Sequence, residues 1–253
     1  MELEAMSHSE ERLAELKEQE QSLLADIGNM ASALSNRRQE AGRGLGEAIQ
    51  REMGDLNMPK VRFLVEIRQT ADPEGVLLAG AAGRFAFDAT GADKVEFLIS
   101  PNPGEPPKPL AKIASGGETS RLMLAMKSIL SDADATPTLI FDEIDQGVGG
   151  RSGHVVGEKL WGLTGGHQVL CVTHLPQIAA FGDTHFNIAK EIRGERTVTR
   201  VTRLSEEARV LELADMLGGS SEAARQAARA MLAETADRKR AKTASTQSTS
   251  AGG

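Results

Sequence analysis

The run Thr138-Leu139-Ile140-Phe141 is apolar from Leu139 onward and stops on two adjacent carboxylates, Asp142 and Glu143. Such a run suits a β-strand buried on both faces, as in a parallel sheet covered by helices. Ligands of open α/β sheets gather at the carboxyl ends of the strands, so the two acids stand where a ligand would lie. Adjacent strand residues point opposite ways, which would let one carboxylate hold a divalent cation while the other faces water. By itself the run is more simply a strand that ends in solvated acids. A second run, Gln168-Val169-Leu170-Cys171-Val172-Thr173, meets the same criteria and ends on His174.

Ahead of both lies Ser115-Gly116-Gly117-Glu118. Ser followed three residues later by Glu is a capping box, in which each side chain bonds the other residue's amide, so a helix is expected to start here. Leu122, Met123, Met126, Ile129 and Leu130 continue it with one apolar face. Gly116 and Gly117 are unexpected in a first turn, where each costs roughly 0.5–1 kcal/mol relative to Ala. Bare backbone at a helix N-terminus, with its free N–H groups and partial positive charge, is suited to a closely approaching phosphate. An ordinary capped helix after a glycine turn explains the tetrapeptide equally well.

Taken together, a bare-backbone helix start, a pair of acids and a His, each at an element end and in this order, resemble the C-terminal half of an ABC-type ATPase head. Ala114-Ser115-Gly116-Gly117-Glu118 matches the signature motif of that class, Ile140-Phe141-Asp142-Glu143 its Walker B, Ile144-Asp145-Gln146-Gly147 its D-loop and His174 its switch histidine. Ser100-Pro101-Asn102-Pro103-Gly104-Glu105 and Thr173-His174-Leu175-Pro176-Gln177-Ile178-Ala179 resemble in particular the RecN family of bacterial SMC-like DNA repair proteins. The resemblance covers roughly residues 61–233. It implies ATP hydrolysis, with Asp142 holding Mg²⁺ through water, Glu143 as general base, His174 bonding the γ-phosphate and Asp145 coupling the two sites of a dimer. Ser115, Gly116, Gly117 and Glu118 would act in trans, closing over ATP held by a second head. The implied setting is double-strand break repair and recombination, with ATP-driven head pairing and DNA as a partner. Two other readings are a clamp that binds ATP without turnover and a transporter subunit; the paired acids speak against the first and the RecN-like runs against the second.

A phosphate-binding P-loop needs Gly-Lys-Ser or Gly-Lys-Thr, and no lysine in this sequence follows a glycine. The expectation is therefore half of a head, completed by an N-terminal half that carries Walker A, and inactive without it.

The 253 residues are 40% hydrophobic and 26% charged, enough for one sizeable core plus an extension. Neither a membrane span nor a signal peptide is legible, which points to the cytoplasm, with the bacterial nucleoid implied by the resemblance. A net charge of −7 argues against nonspecific attraction of nucleic acid to the whole surface. The lone Cys171 reads as core. Residues 1–57 read as a coiled-coil arm, with Leu16, Glu20, Leu23, Ile27, Met30 and Leu34 alternating spacings of four and three. This seam calls for an antiparallel helix as partner, or else for packing on the chain's own domain. Gly42, Gly44 and Gly46 suggest a bend. Residues 58–234 form the α/β head lobe: strands at Val61–Ile67, Phe85–Phe87 and Val95–Ile99, a proline-rich loop to Pro109, and a helix over 151–163. A basic hairpin around Arg193-Gly194-Glu195 then reads as a solvated edge rather than a DNA contact. Helices follow from Ser205 and from Ser220 to about Glu234, and residues 235–253 read as a disordered tail.

Overall fold

A computed structural model of the chain describes residues 2–112, 116–193 and 196–250. It comprises two compact units, Met1–Gln50 with Lys60–Ile113, and Arg51–Pro59 with Ala114–Gly253.

The first unit is built on helix α1 (Glu2–Asp55), strands β1 (Arg62–Gln69), β2 (Ala71–Leu77), β3 (Arg84–Phe85), β4 (Asp93–Ser100) and β5 (Lys108–Pro109). β1 and β4 are antiparallel from Arg62↔Ser100 to Gln69↔Asp93, and the two-residue β5 adds to the β4 edge. The alternation of Phe63, Val65 and Ile67 anticipated β1. Pro73 and Gly75 hid β2, whose pairing with β3 is bulged between Ala71 and Val76.

α1 is uninterrupted through Gly42, Gly44 and Gly46, where a bend was expected. Gly28, Gly42 and Gly46 serve close approach to the strands, whereas a Cβ on Gly44 would meet nothing within 4 Å. A Cβ on Gly28 would lie 2.3 Å from the Leu77 carbonyl oxygen, and one on Gly42 would lie 3.0 Å from Val65 Cβ. Bare helix backbone lets the strands pack within reach, which offsets the roughly 1 kcal/mol each glycine costs a helix. Leu24, Ile27 and Ala31 meet Val76, Leu78, Phe85 and Ala92 in a small core. Beside it the buried Asp93 accepts from Ser35 Oγ at 2.9 Å, Gln69 Nε2 at 3.0 Å and Arg38 Nη1 at 3.2 Å, tying α1 to β4 and β1. Leu16, Leu23, Met30 and Leu34 of the heptad seam stay exposed. The helix thus packs on its own domain by one face, which takes in Ile27 of the seam and leaves its other apolar members open.

The second unit carries α2 (Gly116–Leu130), β6 (Thr138–Phe141), α3 (Gly150–Gly162), β7 (Gln168–Cys171), α4 (Pro176–Ala179), β8 (Phe186–Arg193), β9 (Arg196–Arg203), α5 (Glu206–Met216) and α6 (Glu222–Ser250). β6 and β7 pair in parallel, from Thr138↔Gln168 to Phe141↔Cys171. Burial on both faces, expected from their apolar runs, is not found. Leu139 and Phe141 are buried, while Ile140, Leu170 and Val172 on the opposite face are exposed, because the helices of this unit cover one side only. Cys171, expected in the core, is half-buried. Burial above all, then the charges of Asp145 and Asp142, pushes its thiol up to about 12.

β8 and β9 form the anticipated hairpin, with Gly194 and Glu195 of its turn outside the described residues. Arg200 pairs with Glu191 across the strands. The basic-edge reading overlooked a second feature, the exposed apolar side chains of Phe186, Ile188, Ile192 and Val201. Ser205 caps α5 by accepting from Ala208 N, and Leu213, Ala214 and Ala228 join Ala180 in the core between α4, α5 and α6. The tail expected to be disordered from 235 is helical to Ser250; residues 251–253 lie outside the described residues. Thr235 is buried, and Lys239 Nζ sits 2.6 Å from Asp183 and 5.2 Å above the Trp161 ring. Arg238 bonds Glu234 one turn back. Alanines and i,i+4 charge pairs make this stretch a good helix former despite its lack of an apolar stripe.

Candidate active site

α2 begins at Gly116, and the expected cap from Ser115 to Glu118 lies outside the described residues. The buried face of α2 is Gly117, Arg121, Leu122, Leu124 and Ala125. It is rotated from the face expected, since Met123 and Leu130 are exposed. The reason is that α2 packs its first turns against the loop after β6. Ser120 Oγ donates to the Asp142 carbonyl at 2.8 Å, and Arg121 Nη1 donates to the Gln146 carbonyl at 2.6 Å. Arg121 Nε also meets Met58 Sδ at 3.2 Å. Burial lowers the Arg121 pKa from its ordinary value, with the Glu118 charge acting against it.

The two glycines have a use inside the chain. A Cβ on Gly116 would lie 2.1 Å from Glu143 Oε2, and one on Gly117 would lie 2.7 Å from Gln146 Cβ and 3.1 Å from the Glu143 carbonyl oxygen. At Gly117, where the neighbours are a Cβ and a backbone carbonyl, only glycine admits so close a loop.

That loop holds both acids. Asp142 and Glu143 are exposed. Glu143 N donates to Asp142 Oδ1 at 2.9 Å, and Glu143 accepts from Gln146 N at 3.2 Å in a turn. Glu143 has φ 57°, a left-handed conformation that a non-glycine residue adopts at a cost of about 1–2 kcal/mol. The two carboxylates are therefore separated by this turn and not by strand alternation, since β6 ends at Phe141. Buried Ile144 anchors the loop behind them.

The parallel register brings the third piece alongside. Val172 N donates to the Phe141 carbonyl at 2.9 Å, which sets Thr173 and His174 beside the loop. The buried Asp145 carboxylate accepts from Thr173 Oγ1 at 2.6 Å and His174 N at 2.8 Å, and its Oδ2 lies 2.9 Å from His174 Nδ1. The His174 side chain itself is 74% exposed. Asp142, Glu143, Asp145 and His174 are thus brought together at the carboxyl end of the β6–β7 pair, with Gly116 and Gly117 against them. Among the described residues no group of three His, Cys, Asp or Glu side chains is arranged to hold a metal alone. An exposed carboxylate such as Asp142 nevertheless fits Mg²⁺, which keeps several waters and binds through one or two carboxylates plus substrate phosphates.

Sequence reading missed Ser120, Arg121, Gln146 and Thr173. Arg121 did leave a signal, a charge adjoining Leu122, Leu124 and Ala125 within an apolar helix.

The fold is of the α/β class, a parallel strand pair with helices beside it, in a chain that opens on one long helix. No family model matches the chain. It is 45% identical over 216 residues to the DNA repair protein RecN of Streptomyces coelicolor, covering 85% of this chain and 37% of that protein. It is 41% identical over 217 residues to the DNA repair protein RecN of Halalkalibacterium halodurans, covering 86% and 37%. Over the matched residues the chain is a relative of the RecN proteins, and it spans little more than a third of their length. An SMC head domain with a coiled coil and joint from Pyrococcus yayanosii is similar at 19% identity and TM-score 0.43, covering 72% of this chain and 30% of that one.

Proposed function

We propose that this chain is the C-terminal half of the head of a RecN-type, SMC-like ATPase acting in DNA double-strand break repair and recombination. The observation that carries the reading is the convergence of Asp142, Glu143 and His174 at one end of a parallel strand pair, beside the glycine start of α2. In phosphoryl transfer the protein mainly positions groups and stabilises charge. Asp142 would hold Mg²⁺, which when bound neutralises charge on the ATP phosphates. Glu143 orients the attacking water and takes its proton, and His174 bonds the γ-phosphate. Ser115, Gly116, Gly117 and Glu118 serve the ATP of a second head, so that turnover requires two heads face to face, with the D-loop around Asp145 between them.

ATP itself is held by a Walker A on the N-terminal half of the same head. The exposed apolar face of Ile140, Leu170 and Val172 supports this, since a parallel sheet is stable when covered on both faces. DNA with broken ends is the further partner. No helix among the described residues is long and apolar enough to cross a membrane, in keeping with work at the bacterial nucleoid in the cytoplasm. The test is co-expression with the N-terminal half of a RecN protein, followed by phosphate release with and without broken-ended DNA. Hydrolysis by the completed head supports the proposal. A completed head that binds no ATP overturns it.

A further inference from the structure

Resting on the ATPase reading, we infer that Asp145 is a positioning residue for His174, its carboxylate orienting the imidazole from within the same chain so that Nε2 faces the phosphate. Asp145 is buried to 5% exposure, whereas the His174 side chain is 74% exposed. One oxygen, Asp145 Oδ2, gathers the Thr173 hydroxyl at 2.6 Å, the His174 amide at 2.8 Å and His174 Nδ1 at 2.9 Å. The hydroxyl of Thr173 in turn accepts from Leu175 N at 3.0 Å, so its hydrogen goes to Asp145. His174 is held twice, by its peptide and by its ring, to a group 29 positions earlier in the chain.

The bonding is decided by which atoms can donate. An ionised carboxylate only accepts, so the Nδ1 facing it carries a hydrogen. Nε2 lies across the ring from that contact and is the nitrogen left for a ligand. A phosphate oxygen also accepts only, so the ring that bonds both partners carries both hydrogens and lies between two anions. Charge-assisted bonds of this kind are roughly twice as strong as neutral ones, and an exposed imidazole without one would be spread over several rotamers. A carboxylate behind a working histidine sets its tautomer and direction in serine hydrolases by the same physics. The Asp145 side chain is thereby committed inside its own chain.

The test has two arms. In the 253-residue chain, which has five histidines, ¹⁵N spectra of labelled histidine are assigned to His174 by loss of its signals in His174→Gln. Nδ1 is expected to carry a hydrogen in the native chain. A neutral ring with the hydrogen on Nε2 and a bare Nδ1 overturns the inference. In the completed head, Asp145→Asn is expected to lower kcat roughly 10- to 100-fold, the usual loss for a partner behind a working ligand. In a His174→Gln background the same change should cost less than about twofold, because a residue acting through another has nothing further to lose. Equal losses in both backgrounds overturn the inference and make Asp145 act independently. Should Asp145→Asn fail to fold, Thr173→Val, which removes one donor and keeps the carboxylate, goes through the same cycle. A completed wild-type head that does not hydrolyse ATP overturns the ATPase reading alone, and the imidazole spectra then decide the positioning claim.

Discussion

Glu143 and Asp142 are neighbours with different surroundings, and substitution should separate them. In the completed head, Glu143→Gln keeps the shape and hydrogen bonding of the side chain but cannot take a proton. Turnover is expected to fall about 10²- to 10⁴-fold, with ATP-bound heads accumulating as dimers in size-exclusion chromatography. Asp142→Ala removes the proposed Mg²⁺ ligand and should leave monomers; indistinguishable mutants would contradict the proposed roles. Cys171 gives a check that needs no nucleotide. Its thiol is raised to about 12, chiefly by burial, so the native state holds the proton more tightly than the unfolded chain does. The resulting stability is complete below the ordinary thiol pKa and is lost as pH rises from there towards 12. The thiolate is the nucleophile, so at pH about 9 alkylation of native Cys171 should be much slower than in urea. Equal rates would show the site to be open.

Among the elements, α1 and α6 depart most from expectation. Heptad spacing marked α1 as a helix with a partner face. Of the glycines read as a bend, Gly42 and Gly46 are sites of close strand approach, which only the packed structure reveals. Its tie to the sheet through Asp93 should be costly to cut. Asp93→Ala leaves Arg38, Ser35 and Gln69 without their acceptor, and equilibrium unfolding in urea should show a loss on the order of 3 kcal/mol. A loss within error would mean that the cluster contributes nothing net. α6 was read as ending near Glu234 because apolar periodicity stops there. Its continuation rests on charge pairs and on Lys239 above Trp161. A chain ending at Glu234 should melt several degrees lower than one ending at Ala244. Equal melting temperatures would restore the disordered tail.

For the whole molecule, the isolated chain is expected neither to bind ATP tightly nor to hydrolyse it, since no lysine follows a glycine and the phosphate cradle is lacking. Calorimetry with ATP and Mg²⁺ decides this, and micromolar binding would refute the half-site reading. The residue chemistry was legible because it is local. Two acids after an apolar run, a His after another and Gly-Gly at a helix start are statements about a few consecutive residues, and they carried the α/β class and the candidate site. What the sequence could not determine depends on contacts between distant residues. The exposed face of β6–β7 follows from which sides the helices cover, a matter of the whole unit's packing and not of the strand's own hydrophobicity. The left-handed turn at Glu143 and the need for glycine at Gly117 follow from one loop lying against one helix. The bond from Asp145 to His174 joins residues 29 apart, and it exists because the parallel register of two strands sets their ends side by side.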